Sequence, residues 1–502
     1  MQIQVIGAKE AHQRSFEHII KLYFEEVIVS FTPPPQPDLL ISLVQDRDEA
    51  RITVKLTDLI NNRELQSEVV VEDSSSLVSP EERGRLLKRL LSQALLYVLE
   101  EYTGMVQPWG ILTGIRPTKL YHQKYRQGFT RQEIHHQLKE DYLITDEKIS
   151  LMEQIVSRQL SAVPDLYQLA NGVSIYIGIP FCPTKCAYCT FPAYAIQGRQ
   201  GSVESFLGGL HYELQAIGRW LKENKIEITT IYFGGGTPTS ITAEEMDHLY
   251  EEMYRSFPMD QVREITVEAG RPDTITPEKL AVLKKWKIDR ISINPQSYTQ
   301  ATLDAIGRHH TVEETIRKFR LAREMGMNNI NMDLIIGLPG EGTQEFHHTL
   351  KQTESLLPES LTVHTLSFKR ASEMTQNKEK YRVAERIEIV QMMKQAEEWT
   401  QKNGYHPYYL YRQKNILGNL ENVGYSFPDQ ESIYNIIIME EMQTIIGLGC
   451  GAASKWVHPM TGEITRFANP KEPKVYNEGY ERYTSAKIDA LNQLFLAQSN
   501  MA

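Results

Sequence analysis

Apolar and polar positions between residues 172 and 370 follow two alternating rhythms. Short β-rich runs, SIYIGI (174–179), ITTIYF (228–233), EITVEA (264–269), DRISIN (289–294), INMDLII (330–336) and LTVHTL (361–366), are separated by stretches with helical periodicity. VESFLGGLHYELQAIGRWLKE and TVEETIRKFRLAREMG are two of the latter. Strand-then-helix repetition predicts parallel pairing through right-handed crossovers. Six such units fall short of an eight-fold barrel. The expected fold is therefore α/β, with a partial (three-quarter) parallel (β/α)6 barrel whose chemistry collects at the C-terminal ends of the strands.

The flanks read differently. EVIVSF, DLLISLV, ARITVKLTD and ELQSEVVVED alternate like an antiparallel sheet, with INNRE as a turn. PEERGRLLKRLLSQALLYVLEEYTG is an amphipathic helix, and mostly helical sequence continues to 165. Pro33, Pro34 and Pro35 mark a stiff loop; Ser74, Ser75 and Ser76 mark a flexible one. The stretch from Trp109 to Pro117 reads as a helix-to-helix connector with an apolar anchor, in preference to a docking loop. After 375 come a helix ended by glycine, a tyrosine-rich segment and the glycine-rich GLGCGAAS. The predicted organisation is an N-terminal α+β domain (1–165), the partial barrel (166–375) and a C-terminal helical and mixed extension completing the active site (376–502).

At 502 residues the chain has room for two or three domains. Its 41% hydrophobic and 24% charged residues are those of a globular protein. Lys+Arg 54 against Asp+Glu 64, a net charge of −10, argues against a protein that lives on nucleic-acid phosphates or anionic lipid. No apolar run approaches the roughly 18 residues of a membrane span. The start, MQIQVIGAKEAHQRS, lacks a signal-peptide plan. A cytoplasmic enzyme is the expectation.

The only cysteines are Cys182, Cys186, Cys189 and Cys450, the first three spaced Cys-x3-Cys-x2-Cys. A disulfide scaffold would spread an even number through a short secreted chain, so clustered thiols point to metal ligation. Three thiolates fit a [4Fe–4S] cluster with one iron left open; structural zinc, which needs a fourth ligand, is the alternative. Cys450, among small residues, reads as a buried inert thiol.

The cysteine loop follows the first strand, and Gly234-Gly235-Gly236-Thr237-Pro238 follows the second. Glu268 ends the third, Gln296 follows the fourth, Asp333 lies in the fifth and Ser367 follows the sixth. Six elements thus deliver polar or glycine residues to one rim. The glycines offer close backbone approach to a ligand, or else a tight turn; they lack P-loop spacing. Glu268 offers an acceptor to a ligand, or else an exposed strand end. Asp333, within an apolar strand, needs a partner or a ligand, and Arg308 is a candidate for completing that charge set. The alternative for Arg308, His309 and His310 is a solvated helix approach, and His309, His310, His347 and His348 are read as surface. Lys369 and Arg370 are candidates for binding substrate carboxylates, or else an exposed loop.

The run IYIGIPFC…C..C, GGGTPT, VEA, NPQSY, NMDLIIGLPGE and GLGCGAAS resembles the oxygen-independent coproporphyrinogen III oxidase family of radical S-adenosylmethionine (SAM) proteins. It is most similar to the HemZ-type coproporphyrinogen dehydrogenase branch, over roughly 172–456. The resemblance implies a radical SAM barrel whose cluster is held by Cys182, Cys186 and Cys189. It also implies a bound SAM, cleaved by one-electron reduction to a 5′-deoxyadenosyl radical. By motif position, Tyr176, Gly235, Glu268 and Ala453 would contact the cluster-bound SAM. Tyr188, Gly236, Thr237, Gln296, Arg308, Asp333 and Ser367 would surround a second SAM molecule. The implied reaction is oxidative decarboxylation of coproporphyrinogen III to protoporphyrinogen IX in haem and porphyrin biosynthesis. Its implied partners are the tetrapyrrole and an electron donor such as flavodoxin or ferredoxin, with no nucleic acid and no membrane span. Arg199, Arg308, Lys369 and Arg370 are candidates for its propionates.

The chain departs from the family pattern. Gly178 stands for the family's His, Asn294-Pro295-Gln296 for Gly-Val-Gln, and Gly270-Arg271-Pro272 for the Asp-Pro or Asn-Pro after the glutamate. Phe191 replaces the oxidases' fourth cysteine, as in the haem chaperone branch, whose His-Asn-x-x-Tyr motif is also missing after 410. A haem-binding chaperone without decarboxylase activity is therefore the alternative function. A radical SAM enzyme with another substrate, such as a methyl acceptor, is a third.

Overall fold

The computed structural model describes residues 1–496 apart from 25–26, 33–35, 47–50, 71–78, 192, 197–199, 369–371 and 414–415. Pro33, Pro34, Pro35, Ser74, Ser75, Ser76, Arg199, Lys369 and Arg370 lie outside the described residues. The chain divides into two compact units, Met1–Gln154 and Ile155–Ala502.

The first unit holds a five-stranded sheet of β1 (Gln2–Ile6), β2 (Ile28–Ser30), β3 (Leu39–Asp46), β4 (Arg51–Asp58) and β5 (Arg63–Val70), in the order β2-β1-β3-β4-β5. β3, β4 and β5 form the expected antiparallel meander. The sheet is nevertheless mixed, because β1 pairs in parallel with both β2 and β3. Ile3, Val5, Ile41, Ile52, Val54 and Leu56 pack with Phe16 and Ile19 of helix Glu10–Ile20 and with Leu95 and Leu99 of helix Pro80–Thr103. That second helix starts at a Ser79–Glu82 capping box and stops at Gly104, whose φ of 70° is left-handed. Trp109, in the following connector, is fully buried.

The second unit is built on an eleven-stranded sheet. Its parallel core runs β13 (Ser360–Thr365), β12 (Ile330–Ile336), β11 (Arg290–Ser292), β10 (Glu264–Glu268), β9 (Ile228–Gly235), β6 (Val173–Ile179) and β16 (Thr444–Gly449). The six expected strands are all present. The seventh, β16, comes from the C-terminal segment and lies parallel to β6 with Gly449 opposite Gly178. Antiparallel strands finish both edges: β15 (Asn422–Ser426) and β14 (His406–Tyr411) beside β13, and β17 (Ala453–Val457) and β18 (Ile464–Ala468) beside β16. The first and last strands of this order do not pair, so the sheet is open. A separate two-stranded pair, β7 (Phe181–Cys182) and β8 (Tyr194–Ala195), braces the cysteine loop.

Outward positions of the parallel strands, such as Ile175, Ile177, Ile231, Phe233, Ile265 and Val267, are buried apolar side chains. Alternate positions carry Ser174, Tyr176, Thr230, Tyr232, Thr266 and Glu268, so one face of the sheet is polar and aromatic. Among the described residues no helix is long and apolar enough to cross a membrane.

Candidate active site

The cysteine loop leaves the C-terminal end of β6 and is held by backbone bonds. Ala187 N donates to Ile306 O (3.0 Å), Met374 N to Ala187 O (3.1 Å) and Cys189 N to Cys186 O (3.1 Å). Cys182 and Cys186 are buried and Cys189 is partly buried. The glycine run at the end of β9 packs directly against this loop: Gly236 N donates to Ile179 O and Thr237 N to Phe181 O, each at 2.7 Å. A Cβ at Gly236 would lie 2.6 Å from Phe181 O, and Gly235 has φ +108°. Of the two readings of these glycines, close approach is the one seen, but the approaching backbone is that of the cysteine loop. Thr237 adds a side-chain contact, its hydroxyl 3.2 Å from Cys182 Sγ.

The polar face of the sheet supplies the rest of the rim. Tyr232 and Tyr434 stack with centroids 4.4 Å apart, and Tyr176 lies over both at 6.1 and 6.4 Å. Sequence reasoning singled out Tyr176 alone. Tyr232 had a signal, since it alternates with Gly234 on β9, whereas Tyr434 arrives from a helix remote in sequence. Glu264 positions that helix (Ile433–Glu440) by accepting from Ser432 Oγ (2.9 Å), Ile433 N (3.0 Å) and Tyr434 N (3.1 Å). Glu268 accepts from Tyr232 OH at 2.6 Å, so it is not an exposed strand end. Burial pushes its carboxyl up to about 7, with Asp333 adding to the rise and the Tyr232 bond opposing it.

Asp333 is not partnered by Arg308, contrary to expectation. It accepts from Asn294 Nδ2 (2.9 Å) and Asn331 Nδ2 (2.8 Å), and His364 Nε2 lies 3.5 Å away. Burial favours its neutral form, but the His364, Asn331 and Thr362 contacts outweigh that and hold the carboxyl below its ordinary range. Arg308 instead donates to Gly270 O (2.7 Å), Asn294 O (2.8 Å) and Tyr188 OH (3.3 Å). It is buried rather than solvated, because three backbone-rich loops close around it. His310 is also buried, correcting the surface reading. Its backbone lies outside any helix, so neighbouring His309 points to solvent while His310 turns inward. Burial, with Arg308 and Arg271 nearby, drops its pKa to about 3. His309, His347 and His348 are exposed.

Gln296 has φ 65°, left-handed for a residue with a side chain, and is 7% exposed. Its backbone is fixed on both sides, N to Asp333 O (2.9 Å) and O from Ile335 N (3.0 Å). Its side-chain Oε1 is buried with no partner. A left-handed backbone and an unsatisfied buried acceptor thus coincide at this candidate residue. Ser367 is buried and bridges to Ile416. Ala453 is exposed at the start of β17, beside the Gly449–Ala452 turn. That turn accounts for Gly178, where a Cβ would lie 3.0 Å from Cys450 O. Cys450 itself is buried and donates to Pro470 O and Lys471 O at 3.2 Å, apart from the other thiols.

The superfamily model for radical SAM proteins matches residues 176–353. Over 501 residues, 99% of each chain, the sequence is 62% identical to the oxygen-independent coproporphyrinogen-III oxidase-like protein HemZ of Bacillus subtilis (strain 168). The chain belongs to the HemZ-type family of radical SAM proteins. This HemZ-type chain is also 37% identical to the heme chaperone HemW of Bacillus subtilis (strain 168), over 194 residues, 38% of this chain and 50% of the relative. Its fold is that of the radical SAM coproporphyrinogen III oxidase HemN from Escherichia coli, with TM-score 0.51 at 21% identity, covering 65% of this chain and 72% of that one.

Radical SAM membership brings a [4Fe–4S] cluster and SAM, and the residues present fit both groups. Burial raises the Cys182 thiol to about 11, so that sulfur is a thiolate only beside a strong positive charge, which iron would supply. Donors to sulfur are already in place at Cys182 (Thr237) and Cys186 (Arg271). Glu268, the Gln296 amide oxygen and the buried, unpartnered Tyr434 hydroxyl line the same polar face.

Proposed function

We propose that this protein carries out the oxygen-independent oxidative decarboxylation of coproporphyrinogen III to protoporphyrinogen IX, in the cytoplasm, as a step of haem biosynthesis. The observation that carries this reading is the 62% identity, end to end, with an oxidase-like HemZ protein. The rim that collects Cys182, Cys186, Cys189, Glu268 and Gln296 on one polar face supports it. The cluster and SAM, when bound, supply hydrogen-atom abstraction; loss of hydrogen, carbon dioxide and one electron turns a propionate into a vinyl group.

The chain's own task is to hold and orient. Cys182, Cys186 and Cys189 are the cluster ligands. Tyr176, Gly235, Glu268 and Ala453 serve the SAM beside it. Tyr188, Gly236, Thr237, Gln296, Arg308, Asp333 and Ser367 surround the second. Arg308 acts here as a brace between Gly270 and Asn294, since its Nη2 donates to both of their carbonyls. The stacked tyrosines Tyr176, Tyr232 and Tyr434 form an aromatic wall along this face. A low-potential protein such as flavodoxin or ferredoxin delivers the electron.

An anaerobic assay of the cluster-reconstituted protein with SAM, a strong reductant and coproporphyrinogen III tests the proposal. Protoporphyrinogen formed together with 5′-deoxyadenosine, and lost in Cys186→Ser, supports it. The second reading, haem delivery, is favoured by one feature: Phe191, 56% exposed, stands where the oxidases have a fourth cysteine. Stoichiometric haem binding with no tetrapyrrole turnover establishes that reading and rejects the first.

A further inference from the structure

Arg271 lies in the segment where this chain departs from the family pattern, and the residue is 3% exposed. Every one of its nitrogens has a partner. Nε and Nη2 make a fork on Asp273, at 3.0 and 2.8 Å. Nη1 faces the other way, donating to Thr184 Oγ1 (3.1 Å), Thr184 O (3.4 Å) and Cys186 Sγ (3.7 Å). A buried cation is thus pinned by its own carboxylate against one sulfur of the cysteine loop. The sulfurs are unequal as a result: Cys182 meets a neutral hydroxyl, Cys186 a charged donor.

The remaining ionisable groups nearby do not duplicate this role. Arg308 is turned to the Gly270 and Asn294 carbonyls and to Tyr188. His310 is neutral at physiological pH.

We infer that Arg271 is a positioning residue that sets the reduction potential of the cluster through Cys186, and that Asp273 sets how much of its charge the sulfur feels. Reduction adds one electron to an assembly that three thiolates already make anionic. A cation and a hydrogen bond at a ligand sulfur therefore favour the reduced form, more so in a buried site. Asp273 opposes this by partly neutralising the guanidinium. The two residues form a lever with opposite arms, which a purely structural pair would not be.

The test is a redox titration of the full-length, reconstituted protein with dithionite and mediators, followed by the electron paramagnetic resonance signal of the reduced cluster, with neither SAM nor tetrapyrrole present. Arg271→Gln is expected to lower the reduced-to-oxidised ratio at the wild-type midpoint about tenfold, equivalent to about 59 mV for one electron. Arg271→Lys, which keeps a charge, is expected to lower it less, and Asp273→Asn to raise it. If Arg271→Gln takes up no iron, the opposite signs of the other two variants decide. Unchanged midpoints, or shifts of one sign in both, overturn the inference. Because no substrate is present, its failure is independent of any failure of the decarboxylase reading.

Discussion

Tyr232 on β9 donates its phenolic proton to Glu268 on the neighbouring β10, at 2.6 Å. The bond favours the ionised carboxylate, yet burial and Asp333 still leave Glu268 near pH 7. A carboxyl raised in the folded state binds its proton more tightly than the unfolded chain does. Its contribution to stability is therefore greatest at acid pH and declines as pH rises toward about 7. In the proposed SAM site, ionised Glu268 is the form that would accept hydrogen bonds from SAM hydroxyl or amino groups. SAM affinity, measured calorimetrically under anaerobic conditions, is expected to rise with pH through neutrality. Tyr232→Phe should displace that rise to higher pH, and Glu268→Gln should abolish it. A flat wild-type profile contradicts the assignment.

Gln296 makes a prediction in which stability and binding diverge. Its left-handed backbone costs roughly 1–2 kcal/mol for a residue with a Cβ, and its amide oxygen has no partner. Gln296→Gly removes both penalties. Thermal unfolding of the variant is expected at or above the wild-type temperature, while SAM binding weakens by about tenfold, the worth of a single good hydrogen bond. Loss of stability together with unchanged binding assigns the residue to packing alone.

Much of this architecture is legible in the sequence because strands buried in a parallel sheet read as nearly continuous apolar runs. β16 escaped because Gly447 and Gly449 dilute its apolar signal. Those glycines answer to packing: a Cβ at Gly447 would lie 2.7 Å from Ala453 C, and one at Gly449 would lie 2.3 Å from Gly178 O. β1 escaped because a five-residue strand at the terminus carries little periodicity. The rim residues were readable by their place after each strand, but their partners were not. Asp333 finds Asn294 and His364, and Arg308 finds Gly270, through contacts that only the folded sheet creates. The inward turn of His310 depends on a loop conformation that no periodicity encodes.

Gly236 should tolerate no side chain. The atoms a Cβ would meet are the Phe181 carbonyl oxygen at 2.6 Å and its C and N at 3.0 Å, all backbone. The glycine run and the cysteine loop would have to part, breaking the bonds from Gly236 N and Thr237 N. Gly236→Ala is expected to lose iron faster than wild type under chelator challenge and to be less stable by about 1–3 kcal/mol. Gly208→Ala is the control: it lies in helix Gln200–Glu223 with nothing within 4 Å, and gains about 0.5–1 kcal/mol in the helix. Equal iron retention in the two variants removes the proposed role of the close approach.

Behind the same rim, Lys487 and Glu213 form an ion pair whose side chains are both 0% exposed. Lys487 Nζ also donates to Gly447 O (2.8 Å), while Glu213 accepts from Gly449 N (2.6 Å) and Tyr476 OH (2.7 Å). Asn469 Nδ2 links Glu213 Oε1 (3.2 Å) to Gly449 O (2.8 Å). The network therefore ties helices Gln200–Glu223 and Tyr480–Leu491 to the glycine turn packed against Gly178, four residues before Cys182. Lys487→Met strands a buried carboxylate and is expected to destabilise by about 3–5 kcal/mol in denaturant unfolding. Adding Glu213→Gln removes the stranded charge while keeping one amide oxygen that can accept from both Gly449 N and Tyr476 OH. The double variant should then be more stable than Lys487→Met alone, which independent, additive losses cannot produce.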